Sequence, residues 1–202
     1  GDWVYENPIT VNMIYIGEVE MYPVMDNLVG FFAMPIAIFF ILWRMKKRNI
    51  PISSIGSLEV QRKPLFISIF LLGIFLIIEE LYFYLLGIEM PETFIEFMRA
   101  EPILLGFISV VLVAPIIEEF LFRGFLYSQL RRSFLNDWGA IAVSSLVWTA
   151  IHFQYEIGIL FILFLFGLFL GYFRMKYNSL LIPVTLHALN NLLGFLLTIY
   201  FP

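Results

Sequence analysis

The chain has 202 residues, 61% of them hydrophobic and 14% charged, with a mean hydropathy of +0.90. A soluble domain is roughly 45–50% apolar and about 25% charged, so this composition excludes a soluble enzyme, and 18% aromatic residues exclude a disordered chain. The absence of cysteine excludes a disulfide framework, a thiolate nucleophile and a cysteine-bound metal, and a formal charge of −4 gives no basis for a nucleic-acid partner.

What is left is an all-α, polytopic transmembrane bundle forming a single integral-membrane domain over 1–202. The chain begins with Gly1 and Asp2 rather than Met, as expected of a processed or trimmed N-terminus with room for further spans before it. Residues 1–23 are acidic and aromatic and have no basic flank. They are expected as an extracytoplasmic segment, not a signal peptide. A spanning helix needs about 20 mostly apolar residues. Six segments qualify: 24–43, 64–87, 102–130, 138–154, 157–174 and 179–200. Between the second and third, 89–101 sets Phe94, Ile95, Phe97 and Met98 against Glu92, Glu96 and Glu101, the pattern of an interfacial helix. The third segment is long and contains Pro115, which predicts a kink or tilt.

Basic residues set the orientation. Arg44, Lys46, Lys47, Arg48, Arg62 and Lys63 lie in the first gap between spans, Arg131 and Arg132 in the third, Arg174 and Lys176 in the fifth. Alternating spans put these 10 of the 12 Lys and Arg on one side, which the positive-inside rule makes cytoplasmic. The expected location is a prokaryotic cytoplasmic membrane.

Charge inside the spans points to chemistry. A Glu or Arg at mid-bilayer costs roughly 2.5–3.5 kcal/mol, yet the third span carries Glu118, Glu119 and Arg123 in APIIEEFLFRGFL. Glu119 and Arg123 are four apart and share a face. Glu118 points about 100° away, which leaves one carboxylate without that partner and free to act as a base. A purely structural salt bridge explains Glu119 and Arg123 but not Glu118. The two histidines also fall in apolar segments, His152 with Trp148 one turn before it and His187 with Asn191 one turn after it. At about 1.5 Å of rise per residue, Glu118, His152 and His187 stand about 20, 21 and 13 Å above the cytoplasmic ends of their helices. A shared site is compatible with those depths.

Glu118-Glu119-Phe-Leu-Phe-Arg123 reads EExxxR, Trp148 to His152 resembles FxxxH with Trp for Phe, and His187 to Asn191 reads HxxxN. In this order and helix placement the motifs resemble the CAAX protease and bacteriocin-processing family (CPBP or Abi), which includes the type II CAAX prenyl endopeptidases. The resemblance covers 100–195, the last four spans. It implies an intramembrane endopeptidase in which Glu118 is the general base, His152 holds or activates the water, His187 and Asn191 stabilise the oxyanion, and Glu119, Arg123 and Trp148 support the site. Desolvation suits a glutamate base, and His and Asn on one helical face can donate to one oxygen.

Two His and two Glu can also ligate zinc, through Glu118, His152 and His187. No HExxH is present and the candidate ligands come from three helices; the resemblance implies a metal-free glutamate mechanism with no cofactor, and zinc is the alternative. The expected partners are the bilayer and a membrane-associated peptide or lipidated protein. Competing classes are a non-enzymatic immunity or binding protein on the same scaffold and a proton-coupled transporter, the latter opposed by small size and the lack of an inverted repeat. Glu79 and Glu80 read as an outer-interface pair, with a role lining the same cavity as the alternative, Gly167 and Gly171 as a close-packing pair, and Ser144 and Ser145 as packing or interhelical hydrogen-bonding residues rather than nucleophiles.

Overall fold

The computed structural model describes residues 35–59, 61–99 and 102–200. The chain divides into two units, Gly1–Arg44 and Met45–Pro202. In the first unit, residues 35–44 are helical. The remainder of the predicted first span, and the N-terminal segment 1–23, lie outside the described residues.

The second unit is helical, and no strand occurs among the described residues. It contains α1 (Arg62–Leu86), α2 (Glu92–Arg99), α3 (Ile103–Leu130), α4 (Asn136–Ala150), α5 (Ile157–Tyr177) and α6 (Leu181–Tyr200). Among the described residues, α1, α3, α5 and α6 are long and apolar enough to cross a membrane, and the protein is an integral membrane protein. The count of six spans is therefore not reproduced. The segment predicted over 138–154 folds as α4, whose 15 residues rise only about 22 Å. Residues 151–154 form a turn, which places His152 just beyond the helix rather than within it.

Local sequence explains the ends. Gly87 closes α1 with φ +62°, a left-handed conformation that glycine adopts without steric cost. Asn136 opens α4, its Oδ1 accepting from the backbone N–H of Trp138 and Gly139. A one-turn 3₁₀ helix at Ile52–Ile55 leads to Ser57, which is bonded to the α5–α6 link by Ser57 N–H to Asn178 O (2.8 Å) and Leu180 N–H to Ser57 O (2.9 Å).

α4 and α5 pack closely because of the glycines. A Cβ on Gly171 would meet Ile141 Cγ2 at 2.7 Å, and one on Gly167 would meet Ser145 Cβ at 2.9 Å. The small-residue reading of that pair holds. The main core joins Leu72, Phe122, Trp148, Phe166, Leu170, Phe173, Ile182 and Leu186, from α1, α3, α4, α5 and α6. A smaller cluster packs Phe94 of α2 against Phe195, Val111 and Phe107.

The predicted break in the third span takes a different form. α3 is continuous but contains two π-helical stretches, Ile108–Val113 and Phe120–Leu126, on either side of Ala114–Glu119. In the first, the Ala114 N–H bonds Ser109 O. The same register assigns the next carbonyl, Val110 O, to residue 115, which is proline and has no N–H. Asn191 Nδ2 of α6 donates to Val110 O at 2.9 Å instead. Widened turns of this kind recur at functional sites.

Candidate active site

The short α-helical step between the two widened stretches carries both acidic residues. Glu119 is fully buried. Its Oε1 accepts from Arg123 Nη1 at 3.0 Å and lies 2.9 Å from His187 Nδ1. Arg123, also fully buried, donates from Nη2 to Gly167 O at 3.2 Å and lays its guanidinium 4.7 Å from the centre of the Trp148 ring. The predicted pair of Glu119 and Arg123 is thus formed and has a third member, His187. A buried carboxylate with a paired cation and an imidazole donor answers the cost of taking charge out of water.

Glu118 points elsewhere, as the helical rotation requires. Its side chain keeps 12% exposure against 0% for Glu119. Its Oε2 accepts the indole N–H of Trp148 at 2.6 Å and lies 3.9 Å from His187 Nε2, too far for a hydrogen bond. His187 therefore stands between the two carboxylates. Bonded to Glu119, Nδ1 is the donor, so a neutral ring presents a lone pair at Nε2 and only an imidazolium presents an N–H toward Glu118.

His152 sits on the turn after α4. Its Nδ1 is 2.9 Å from Trp148 O, its ring meets the Trp148 ring edge-on at 5.0 Å, and it stacks on Tyr155 at 6.2 Å. Bonding to a carbonyl fixes the proton on Nδ1 and leaves Nε2 as an acceptor in the neutral ring. Burial raises the pKa of the Tyr155 hydroxyl above its ordinary value, which keeps this neighbour neutral.

The structure thus brings Glu118, Glu119, Arg123, Trp148, His152 and His187 into one contact network. Asn191 is tied to Val110 O, one of its two amide hydrogens being used there. Two supports escaped the sequence reading. The Gly167 carbonyl that accepts from Arg123 could not be found from spacing, being a backbone group. Arg174, buried to 1% exposure, donates from Nε to Arg123 O at 3.1 Å and from Nη1 to Asn178 Oδ1 at 2.8 Å. Its signal was an arginine inside an apolar segment, which topology alone assigned to the basic side. Zinc requires three protein ligands in a catalytic site. Among the described residues no three His, Asp or Glu side chains are grouped to hold a metal ion.

Residues 100–193 match the model of the type II CAAX prenyl endopeptidase Rce1-like family. Over this segment the chain is similar to that family. The matched segment contains the EExxxR, WxxxH and HxxxN residues Glu118 to Arg123, Trp148 to His152 and His187 to Asn191. An Escherichia coli relative described as an uncharacterized 24.3 kDa protein is 34% identical over 96 residues, which is 46% of this chain and 44% of the relative. The aligned part thus spans less than half of that relative's length. No solved structure matches the chain.

Proposed function

We propose that the protein is an intramembrane endopeptidase in which Glu118 activates water to hydrolyse a peptide bond in a membrane-associated or lipidated substrate. The observation that supports this most is the unequal treatment of two adjacent carboxylates: Glu119 is neutralised by Arg123 and His187, while Glu118 is partly open and has a single side-chain donor.

Glu118 takes a proton from water as the oxygen attacks the carbonyl carbon, and returns it to the leaving amine as the tetrahedral species collapses. The His152 Nε2 lone pair holds the attacking water. With Nδ1–H given to Glu119, a proton on His187 Nε2 balances two carboxylates against two cations and supplies an N–H to the oxyanion. The second amide hydrogen of Asn191 is the other oxyanion donor. No step requires a metal. The distribution of basic residues supports cytoplasmic basic loops, and the family description makes a prenylated CAAX peptide the first substrate to try.

The test is hydrolysis of a farnesylated CAAX peptide, and its unprenylated form, by purified wild type and Glu118→Gln. Wild type should release a C-terminal fragment, read by mass spectrometry. The variant should be slower by roughly 10²–10⁴, the range for losing a general base, with the same thermal transition. Turnover by Glu118→Gln close to wild type would remove Glu118 as the base.

A further inference from the structure

Trp148 stands where the family motif has phenylalanine, and the two differ in one respect that matters at this position: the indole has a donor. Its N–H lies 2.6 Å from Glu118 Oε2. A buried indole N–H commonly finds a partner, but a carboxylate is a charged acceptor and makes a shorter, stronger bond than a neutral one. The ring itself cannot drift. It is 1% exposed, with the Arg123 guanidinium 4.7 Å from its centre, His152 and His187 edge-on at 5.0 and 5.5 Å, and Phe166 at 6.2 Å. Its carbonyl also sets the orientation of His152, through the 2.9 Å contact with Nδ1. One residue thus touches the carboxylate, both imidazoles and the arginine.

We infer that Trp148 is a positioning residue for the water-activating carboxylate, its indole N–H holding Glu118 Oε2 so that Oε1 is the oxygen that receives the proton. This rests on the protease reading for its catalytic meaning, while the contact itself can be tested without a substrate. An aromatic that merely filled the core would serve as well without a donor; an aromatic that positions Glu118 would not.

The substrate-free test uses the indole N–H resonances of the chain's four tryptophans, recorded on detergent-solubilised, ¹⁵N-labelled protein. Trp148→Phe identifies the Trp148 cross-peak; should that variant not fold, Phe substitutions at Trp3, Trp43 and Trp138 identify it by elimination. Glu118→Gln then replaces a charged acceptor with a neutral one of the same size. The Trp148 indole proton should lie farthest downfield in wild type and move upfield in Glu118→Gln, with the other three held in place. A Trp148 resonance that does not move would overturn the inference. In the kinetic arm, Trp148→Phe should lower kcat about 10- to 100-fold with KM unchanged, the range for losing one hydrogen bond to a charged group. A folded Trp148→Phe with wild-type kcat would also overturn it. A wild type that cleaves neither peptide, but whose Trp148 resonance responds to Glu118→Gln, would overturn the protease reading and uphold the contact.

Discussion

Glu118 and Glu119 are adjacent on one helix, yet the second is sealed and the first is open. Glu119 is at 0% exposure and is shared between Arg123 and His187, with Gly167 and Arg174 holding the arginine's side chain and backbone in turn. Glu118, one residue and about 100° of rotation away, has 12% exposure, one indole donor and an imidazole at 3.9 Å. The difference arises from what each side of α3 faces. One side meets the tightly packed α4–α5 pair, where glycines let the backbones approach. The other faces the end of α4 and the turn that carries His152. Identical side chains are thereby divided between one sealed by buried partners and one left partly open, which the proposed mechanism takes as its base.

That division predicts opposite phenotypes for the same chemical change. Glu118→Gln should cost roughly 10²–10⁴ in rate with little change in thermal unfolding. Glu119→Gln should instead strand Arg123, and Arg123→Ala should strand Glu119, each costing roughly 3–5 kcal/mol of stability because the remaining charge is buried without its partner. Unfolding of the variants in detergent measures this. If Glu119→Gln and Arg123→Ala melt like wild type but are inactive, the boundary between the two carboxylates is drawn in the wrong place.

Asn191 lies on that boundary and sharpens it. Asn191→Ala should lower kcat by roughly 10²–10³, the usual loss for one oxyanion donor, with little change in KM. It should also destabilise the protein by about 1–3 kcal/mol, because Val110 O loses the donor that proline cannot replace. Parallel kinetics and melting separate the two effects; a lower melting temperature with unchanged kcat would leave Asn191 a purely structural residue. The smallest effect is expected on the sealed side. A methyl at Gly167 would press on Ser145 Cβ at 2.9 Å and Arg123 Nη2 at 3.2 Å, so Gly167→Ala should cost roughly 1–3 kcal/mol by overpacking and spare most of the activity per folded molecule. Loss of activity in a Gly167→Ala protein of wild-type stability would show that the sealed side reaches into the chemistry.

Much of this arrangement was legible in the residues. Apolar length identified four long helices, and charge cost singled out Glu118, Glu119 and Arg123, because a bilayer core makes ionised side chains expensive. Helical spacing paired Glu119 with Arg123. The rest depended on groups that spacing does not encode. The end of α4 was misjudged because Ile151 and Phe153 continue the apolar run through a turn. Pro115 signalled a disturbance, but only the three-dimensional register shows a π-helical stretch and the use of Asn191 to satisfy Val110 O. Trp148 read as an aromatic neighbour of His152, whereas its N–H reaches a carboxylate 30 positions away in sequence.

The central claim is that Glu118 activates water without a metal, and metal analysis of active wild-type enzyme tests it most directly. The protein is purified, its zinc and other transition metals are quantified, and peptide hydrolysis is measured before and after chelation. Full activity in a metal-free preparation, abolished by Glu118→Gln, is the predicted result. Stoichiometric zinc that is lost together with activity on chelation, with both restored on adding zinc back, would contradict it and make Glu118, His152 and His187 metal ligands.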